Sequence, residues 1–117
     1  MELFDAAQMS LGAAMRGATA RQQALADNLA NVDTPGYVRK DVDFHDALRS
    51  AMGDGGDVSA MSFTPQADAS APVRVDGNSV DVDAESSAMA QNSLEYDSLA
   101  RVSAARIDIL KSAMGLA

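Results

Sequence analysis

The sequence predicts a mainly α-helical fold, in which two long terminal helices pack as an antiparallel coiled-coil-like hairpin joined by a loop-rich middle with candidate short strands. Three observations predict it. Apolar and small residues recur at steps of three and four at both ends of the chain. The three prolines, Pro35, Pro65 and Pro72, all lie between those ends. The middle is also acidic: residues 53–85 hold one Arg against seven acids and so carry −6 of the net charge of −8. A chain of 117 residues suits one small domain. Both ends form it, as segments 1–37, 38–82 and 83–117.

The first helix is expected over 2–31. Phe4, Ala7, Leu11, Ala14, Ala18, Leu25 and Val32 share one seam, widened by Met15 and Leu29 and interrupted only at Arg21 and Asn28. The rest is Ala, Gln, Arg and Leu, all good helix formers, although Gly12 and Gly17 each cost about 1 kcal/mol relative to Ala. Arg21 and Asn28 have two readings: solvent exposure where the coil widens, or polar seam positions that specify register and partner. The helix should stop near Asn31, because Pro35 disfavours helical geometry at Thr34. In Thr34-Pro35-Gly36-Tyr37, Pro and Gly occupy the two central positions of a type II turn.

In the middle, Phe44, Leu48 and Met52 at i, i+4 and i+8 suggest a short helix. Residues 53–79 read as loop, with Met61-Ser62-Phe63 and Val73-Arg74-Val75 as strand candidates. The second helix should run from about 83 to 115, with Asp83 as N-cap and Glu85 favoured in the first turn by the helix dipole. Met89, Tyr96, Leu99, Val102, Ile107, Ile109, Leu110, Met114 and Leu116 cover about half its circumference. One partner helix cannot cover so wide an apolar face, so several neighbours are implied.

Composition narrows the function. Leu, Ile, Val and Phe total 23 residues, matched by 23 Ala, which bury little area each. Ordering a residue costs about 1.5 kcal/mol, which a core this small only about offsets. The isolated chain should therefore be marginal and gain stability from partners. The net charge of −8 argues against nucleic acid and against a polybasic membrane contact. No 18-residue apolar run exists, and Met1-Glu2-Leu3-Phe4-Asp5 has neither the basic start nor the apolar run of a secretory signal. The absence of Cys excludes thiolate chemistry.

No constellation supports catalysis or a cofactor. Counting an EF-hand loop from Asp76 puts Asp81 where Gly is needed and Ser87 where Glu is needed, so the calcium pattern fails. Asp81-Val82-Asp83 reads instead as an extended entry to the second helix, its acids solvated or capping. His45 is the only histidine and has no nucleophile motif to serve, which makes it a surface residue. Gly53-Asp54-Gly55-Gly56 lacks the Lys of a phosphate loop. The seven Met fill packing gaps.

Arg21-Gln22, Leu25-Ala26, Asn28-Leu29-Ala30-Asn31 and Thr34-Pro35-Gly36-Tyr37 resemble the N-terminal signature of the bacterial flagellar rod and hook axial proteins. Asp41-Val42-Asp43-Phe44 with Leu48, and the run from Asp76 to Glu85 before Met89-Ala90 and Asn92-Ser93-Leu94-Glu95-Tyr96, resemble the proximal-rod members of that family. The resemblance leaves residues 49–72 unmatched, and the middle is short even for that branch.

The resemblance implies a structural rod subunit, not an enzyme, with no cofactor. Its terminal helices would stack around a narrow export channel in the periplasmic part of the basal body. Implied partners are copies of itself, neighbouring rod proteins, the ring–rod adaptor protein and the membrane ring. Export would run through the flagellar type III apparatus without a cleaved signal peptide, with transient docking on its gate. Phe44 and Leu48 match the Phe-x-x-x-apolar spacing of such a gate element, a weak pattern that any amphipathic turn supplies and that local packing explains better. The residues expected to pack or assemble are Phe4, Leu11, Leu25, Asn28, Leu29, Asn31, Pro35, Gly36 and Tyr37 at one end. At the other they are Met89, Asn92, Tyr96, Leu99 and Leu110. Two alternatives remain at this stage: a soluble helical adaptor or chaperone-like hairpin, and a metal-dependent hydrolase built on Asp76, Asp81, Asp83 and Glu85.

Overall fold

Glu2–Ala30 forms one unbroken helix, α1, and Val82–Ala113 forms a second, α3. The computed structural model describes residues 2–115, with side chains from Asp5 onward. The side chain of Phe4, and Leu116, lie outside the described residues. Three polar contacts fix the relative direction of the helices: Gln8 with Ser103, Ala18 with Asn92, and Asn28 with Glu85. The first member climbs as the second falls, so the hairpin is antiparallel as expected. Between the long helices come β1 (Lys40–Asp41), α2 (Phe44–Gly53), a 3-10 turn (Val58–Ala60) and β2 (Gln66–Ala67). The strands pair antiparallel, Lys40 opposite Ala67 and Asp41 opposite Gln66.

The strand pair is not where β-branched residues suggested. Met61-Ser62-Phe63 and Val73-Arg74-Val75 are not strands. A strand needs a fixed edge to pair with, and β1 is the segment held flat against α1, so it supplies that edge. Phe63 is instead turned edge-on to the Phe44 ring, with centroids 6.4 Å apart. Val73 precedes a tight turn and Val75 lies inside it; the Gly77 N–H closes it by donating to the Arg74 carbonyl at 2.9 Å. The N-cap of α3 is also displaced from the expected Asp83 to Asp81, whose carboxylate accepts from the N–H groups of Asp83 (3.0 Å) and Ala84 (3.2 Å). The reason lies upstream: Val80 is buried and its N–H is bound by Asn78 at 2.7 Å, so the chain first turns into helix one residue later.

The core is small and built around one ring. Ala14, Ala18, Ala24, Val42 and Phe44 form it, with Ala20, Leu48, Phe63 and Leu99 packed around them. Asp43 caps α2, and Phe44 then drops onto α1 at Gly17. A Cβ placed on Gly17 would lie 2.5 Å from the Phe44 Cβ and 2.6 Å from its Cγ. What reads in the sequence as a helix-weakening glycine is therefore the notch that seats α2. The Cα atoms span 62 × 30 × 15 Å. Helix α2 and the 3-10 turn pack on α1, while Val102, Ile107 and Ile109 of α3, and Met114 at its C-cap, stay exposed.

Gly17→Ala is expected to unseat Phe44 and cost at least about 1–3 kcal/mol, the usual range for overpacking a close contact. Gly12→Ala, whose new Cβ would meet only the flexible Arg16 side chain at 3.7 Å, is expected to gain up to about 1 kcal/mol of helix propensity. Urea denaturation of the two variants beside the parent reads both signs.

Candidate functional site

Helix α1 ends with carbonyl groups that have no partner within the helix. A residue distant in sequence supplies them. Asn78 is 0% exposed, and its Nδ2 donates to the carbonyls of Asn31 (2.9 Å), Val32 (3.1 Å) and Thr34 (2.8 Å). Arg74 adds a bond to the Val32 carbonyl at 2.5 Å. The Thr34–Tyr37 turn closes as predicted, with Tyr37 N–H donating to the Thr34 carbonyl at 3.2 Å and Gly36 at φ +75°. It then meets the Arg74–Gly77 turn: the Gly36 N–H donates to the Asp76 carbonyl at 2.9 Å. Gly77, at φ +84°, packs so closely that a Cβ there would lie 3.2 Å from the Gly36 Cα. Two glycines let two turns touch backbone to backbone.

One turn back along α1, Asn28 is 0% exposed and uses every hydrogen-bonding position it has. Its Oδ1 accepts from the Lys40 N–H (2.9 Å) and the Tyr37 hydroxyl (3.3 Å). Its Nδ2 donates to the Lys40 carbonyl (2.7 Å) and to Glu85 (3.2 Å). The amide thus pairs with Lys40 as a neighbouring strand would, which is why β1 lies flat beside a helix.

Glu85 is 1% exposed and is answered by Arg39, whose Nε donates to Glu85 Oε1 at 2.5 Å. Arg39 also donates to Asp68 at 2.5 Å and lies 3.4 Å from Asp41, which Arg21 holds at 2.8 Å. Three segments, β1, the β2 exit and the start of α3, therefore meet at one guanidinium, and Arg21 ties α1 to it through Asp41.

The ionisations follow the contacts. The hydrogen bond from Glu85, outweighing the cost of burial and helped by Asp68 and Asp41, holds Arg39 above the ordinary arginine value. Burial alone would raise Asp41, but bonds from Arg21 and the Val42 N–H, with the charges of Arg21 and Arg39, bring its carboxyl below the usual range. The Ser70 hydroxyl and then Arg39 lower Asp68. Burial, followed by the charges of Asp27 and Glu85, raises Tyr37.

The opposite end of the hairpin has no such knot. A cleft of about 560 Å³ opens between α1, α2 and α3, lined mainly by Ala7, Leu11, Ala14, Leu48, Met52 and Val102. Beyond it Ile109 is 59% and Met114 62% exposed. The expected packing residues thus divide in two. Leu25, Asn28 and Asn92 are buried, Leu29, Asn31, Tyr37, Met89, Leu99 and Leu110 are half-buried, and Pro35 and Gly36 form the exposed turn. Leu11 lines the open cleft, and Tyr96 stays exposed between the helices.

Phe44 is buried and Leu48 half-buried against the core, so in the folded chain both face inward. Asn28 and Arg21 are not solvent-exposed interruptions of the seam; both bond to β1. Glu85 neither caps nor faces solvent, because its carboxylate is committed to Arg39 and Asn28. His45 is on the surface, paired with Glu95. Gly17, Arg39, Asn78 and Ser79, whose hydroxyl accepts from the Arg39 N–H at 2.8 Å, were not singled out as site residues. Their partners lie tens of positions away, and no local pattern announces them.

Asn28→Asp exchanges one amide nitrogen for oxygen. It removes the donors to the Lys40 carbonyl and Glu85 and sets a second buried carboxylate against the first. A loss of about 3–5 kcal/mol is expected, as for a broken buried ion pair, read by urea denaturation. Acid should act on the same knot. The folded-state pKa values of Asp41 and Asp68 lie below those of the unfolded chain, so their stabilisation is fully present above about pH 4 and lost as pH falls through the depressed values. Asp41→Asn should be less stable than the parent at pH 7 and lose less on acidification, measured as thermal midpoints from pH 7 to pH 2.

Residues 11–37, the stretch that ends in this knot, match the sequence profile of the family described as flagella basal body rod protein. The chain is 35% identical to the flagellar basal body rod protein FlgB of Escherichia coli K12, over 82% of this chain and 83% of that protein. FlgB of Salmonella typhimurium is 34% identical over the same shares. FlgB of Bacillus subtilis is 28% identical over 97% of each chain. The residues that align the two turns and bury Asn28 thus sit in a sequence that matches such proteins over most of its length, and the chain belongs to the FlgB family of flagellar basal-body rod proteins.

Proposed function

We propose that the chain is a non-catalytic structural subunit of the bacterial flagellar basal-body rod. It polymerises with copies of itself and with neighbouring rod proteins into the shaft that links the membrane ring to the distal rod and encloses the export channel. The observation that carries this reading is the asymmetry of the hairpin. One end is locked by satisfied polar contacts, while the other leaves Met9, Val102, Ile107, Ile109 and Met114 exposed. Such residues are covered by neighbours, and neighbours joined head-to-tail by a rotation that does not close build a helical filament. The ring–rod adaptor and the membrane ring are the partners at the base.

Export by the flagellar type III apparatus fits the same picture. Phe44 is seated in the Gly17 notch once the chain folds, so a gate that reads Phe44 and Leu48 does so on the unfolded chain. The exposed acids of the middle, among them Asp54 and Asp57, lie toward the outside of the rod.

Deletion of the gene, imaged by electron cryotomography of basal bodies beside a complemented strain, tests the reading. A membrane ring without a rod, restored on complementation, is the expected result. Intact rods with normal swimming would overturn it in favour of a soluble helical adaptor.

A further inference from the structure

A groove of about 240 Å³ runs between α1 and α3 on the face that α2 leaves bare. Ala18, Thr19 and Gln22 form one wall, and Asn92, Tyr96 and Asp97 the other. Two of its polar groups, on Asp97 and Tyr96, are unbonded among the described residues. The Asp97 carboxylate has no ion pair or hydrogen bond among the described residues. The Tyr96 ring is 37% exposed and its hydroxyl is likewise unbonded among them. Asn92 is 1% exposed, with its Nδ2 committed to the Ala18 carbonyl and to Gln22, both at 2.8 Å, while its Oδ1 is buried without a partner.

No basic side chain lines this groove. Arg16 lines the adjoining depression, but its guanidinium is turned to the carbonyls of Val58 (3.0 Å) and Ser59 (3.2 Å). Arg101, one turn beyond Asp97, is exposed and unpaired among the described residues. An exposed pair at that spacing is weak and easily surrendered.

We propose that this groove receives an arginine side chain from a neighbouring protein subunit. A guanidinium suits both features at once. It is planar and stacks on the Tyr96 ring. It is cationic and pairs with Asp97. It carries five donors in a fork that matches a carboxylate, which a lysine ammonium does less well. The identity of the neighbour as a rod subunit rests on the function proposed above; the chemistry of the groove does not.

Two measurements on the full chain decide it. The purified protein is titrated with N-acetyl-arginine-methylamide and, separately, with the citrulline analogue, which keeps the shape without the charge. Saturable amide NMR shifts at Ser93, Tyr96, Asp97 and the Asn92 side chain are expected with arginine only. They should weaken at least fivefold in Asp97→Asn. Absent shifts, equal shifts with citrulline, or shifts unchanged in Asp97→Asn would overturn the proposal. In cells, Asp97→Arg is expected to abolish swimming while its circular dichroism stays that of the parent, with Asp108→Arg on the same helix as the tolerated control. Normal swimming of Asp97→Arg would overturn the contact as one made in assembly. Failure of the rod reading itself shows separately, as intact rods in the deletion strain.

Discussion

The side chain of Asn28 is the constraint on which the rest of the structure depends. It bonds simultaneously to the backbone of Lys40, the hydroxyl of Tyr37 and the carboxylate of Glu85, and it does so with no exposure to water. Each of those partners belongs to a different segment. A one-turn slip of α3 along α1 would carry Glu85 away from both Asn28 and Arg39 and leave a buried charge unpaired, at a cost of several kcal/mol. Buried ion pairs add little net stability compared with apolar packing, so the contribution of this one lies in register. The small core, with Phe44 as its one large ring, does not by itself forbid sliding, because alanine surfaces are smooth.

The locked end also explains why the middle segment folds at all. Residues 53–85 are acidic and poor in large apolar groups. They are held not by a core of their own but by bonds back to the helices. Asn78 and Arg74 bind the end of α1, Arg16 holds the Val58–Ala60 turn, and Asp68 binds Arg39. The two-stranded pairing follows from the clamp on Lys40. The middle is thus a strap fastened at four points, and its outer residues remain free to carry charge.

Much of this was legible in the sequence. The extents of α1 and α3, the stop near Asn31, the turn at Thr34–Tyr37 and the short helix after Phe44 all follow from local rules: periodicity, capping and the dihedral limits of Pro and Gly. What was not legible depends on pairs distant in sequence. Gly17 looks like a defect until Phe44 is placed above it. Glu85 looks like a helix-dipole acid until Arg39 arrives from 46 positions away. Asp83 looks like the cap of α3 until Asn78 fixes Val80 and the cap falls on Asp81. Asn28, Tyr37 and Glu85, all within the motifs that carried the family resemblance, meet around Arg39 and Lys40, which lie outside those motifs.

The central claim is that the hairpin is locked at the Asn28 end and open at the other, and native-state hydrogen exchange of the full chain tests it most directly. The account predicts the slowest exchange at the amides of residues 24–32, at Lys40 and at 85–92, with protection falling steadily toward residues 5–12 and 105–113. Uniform protection along both helices, or greater protection at the open end, would contradict it.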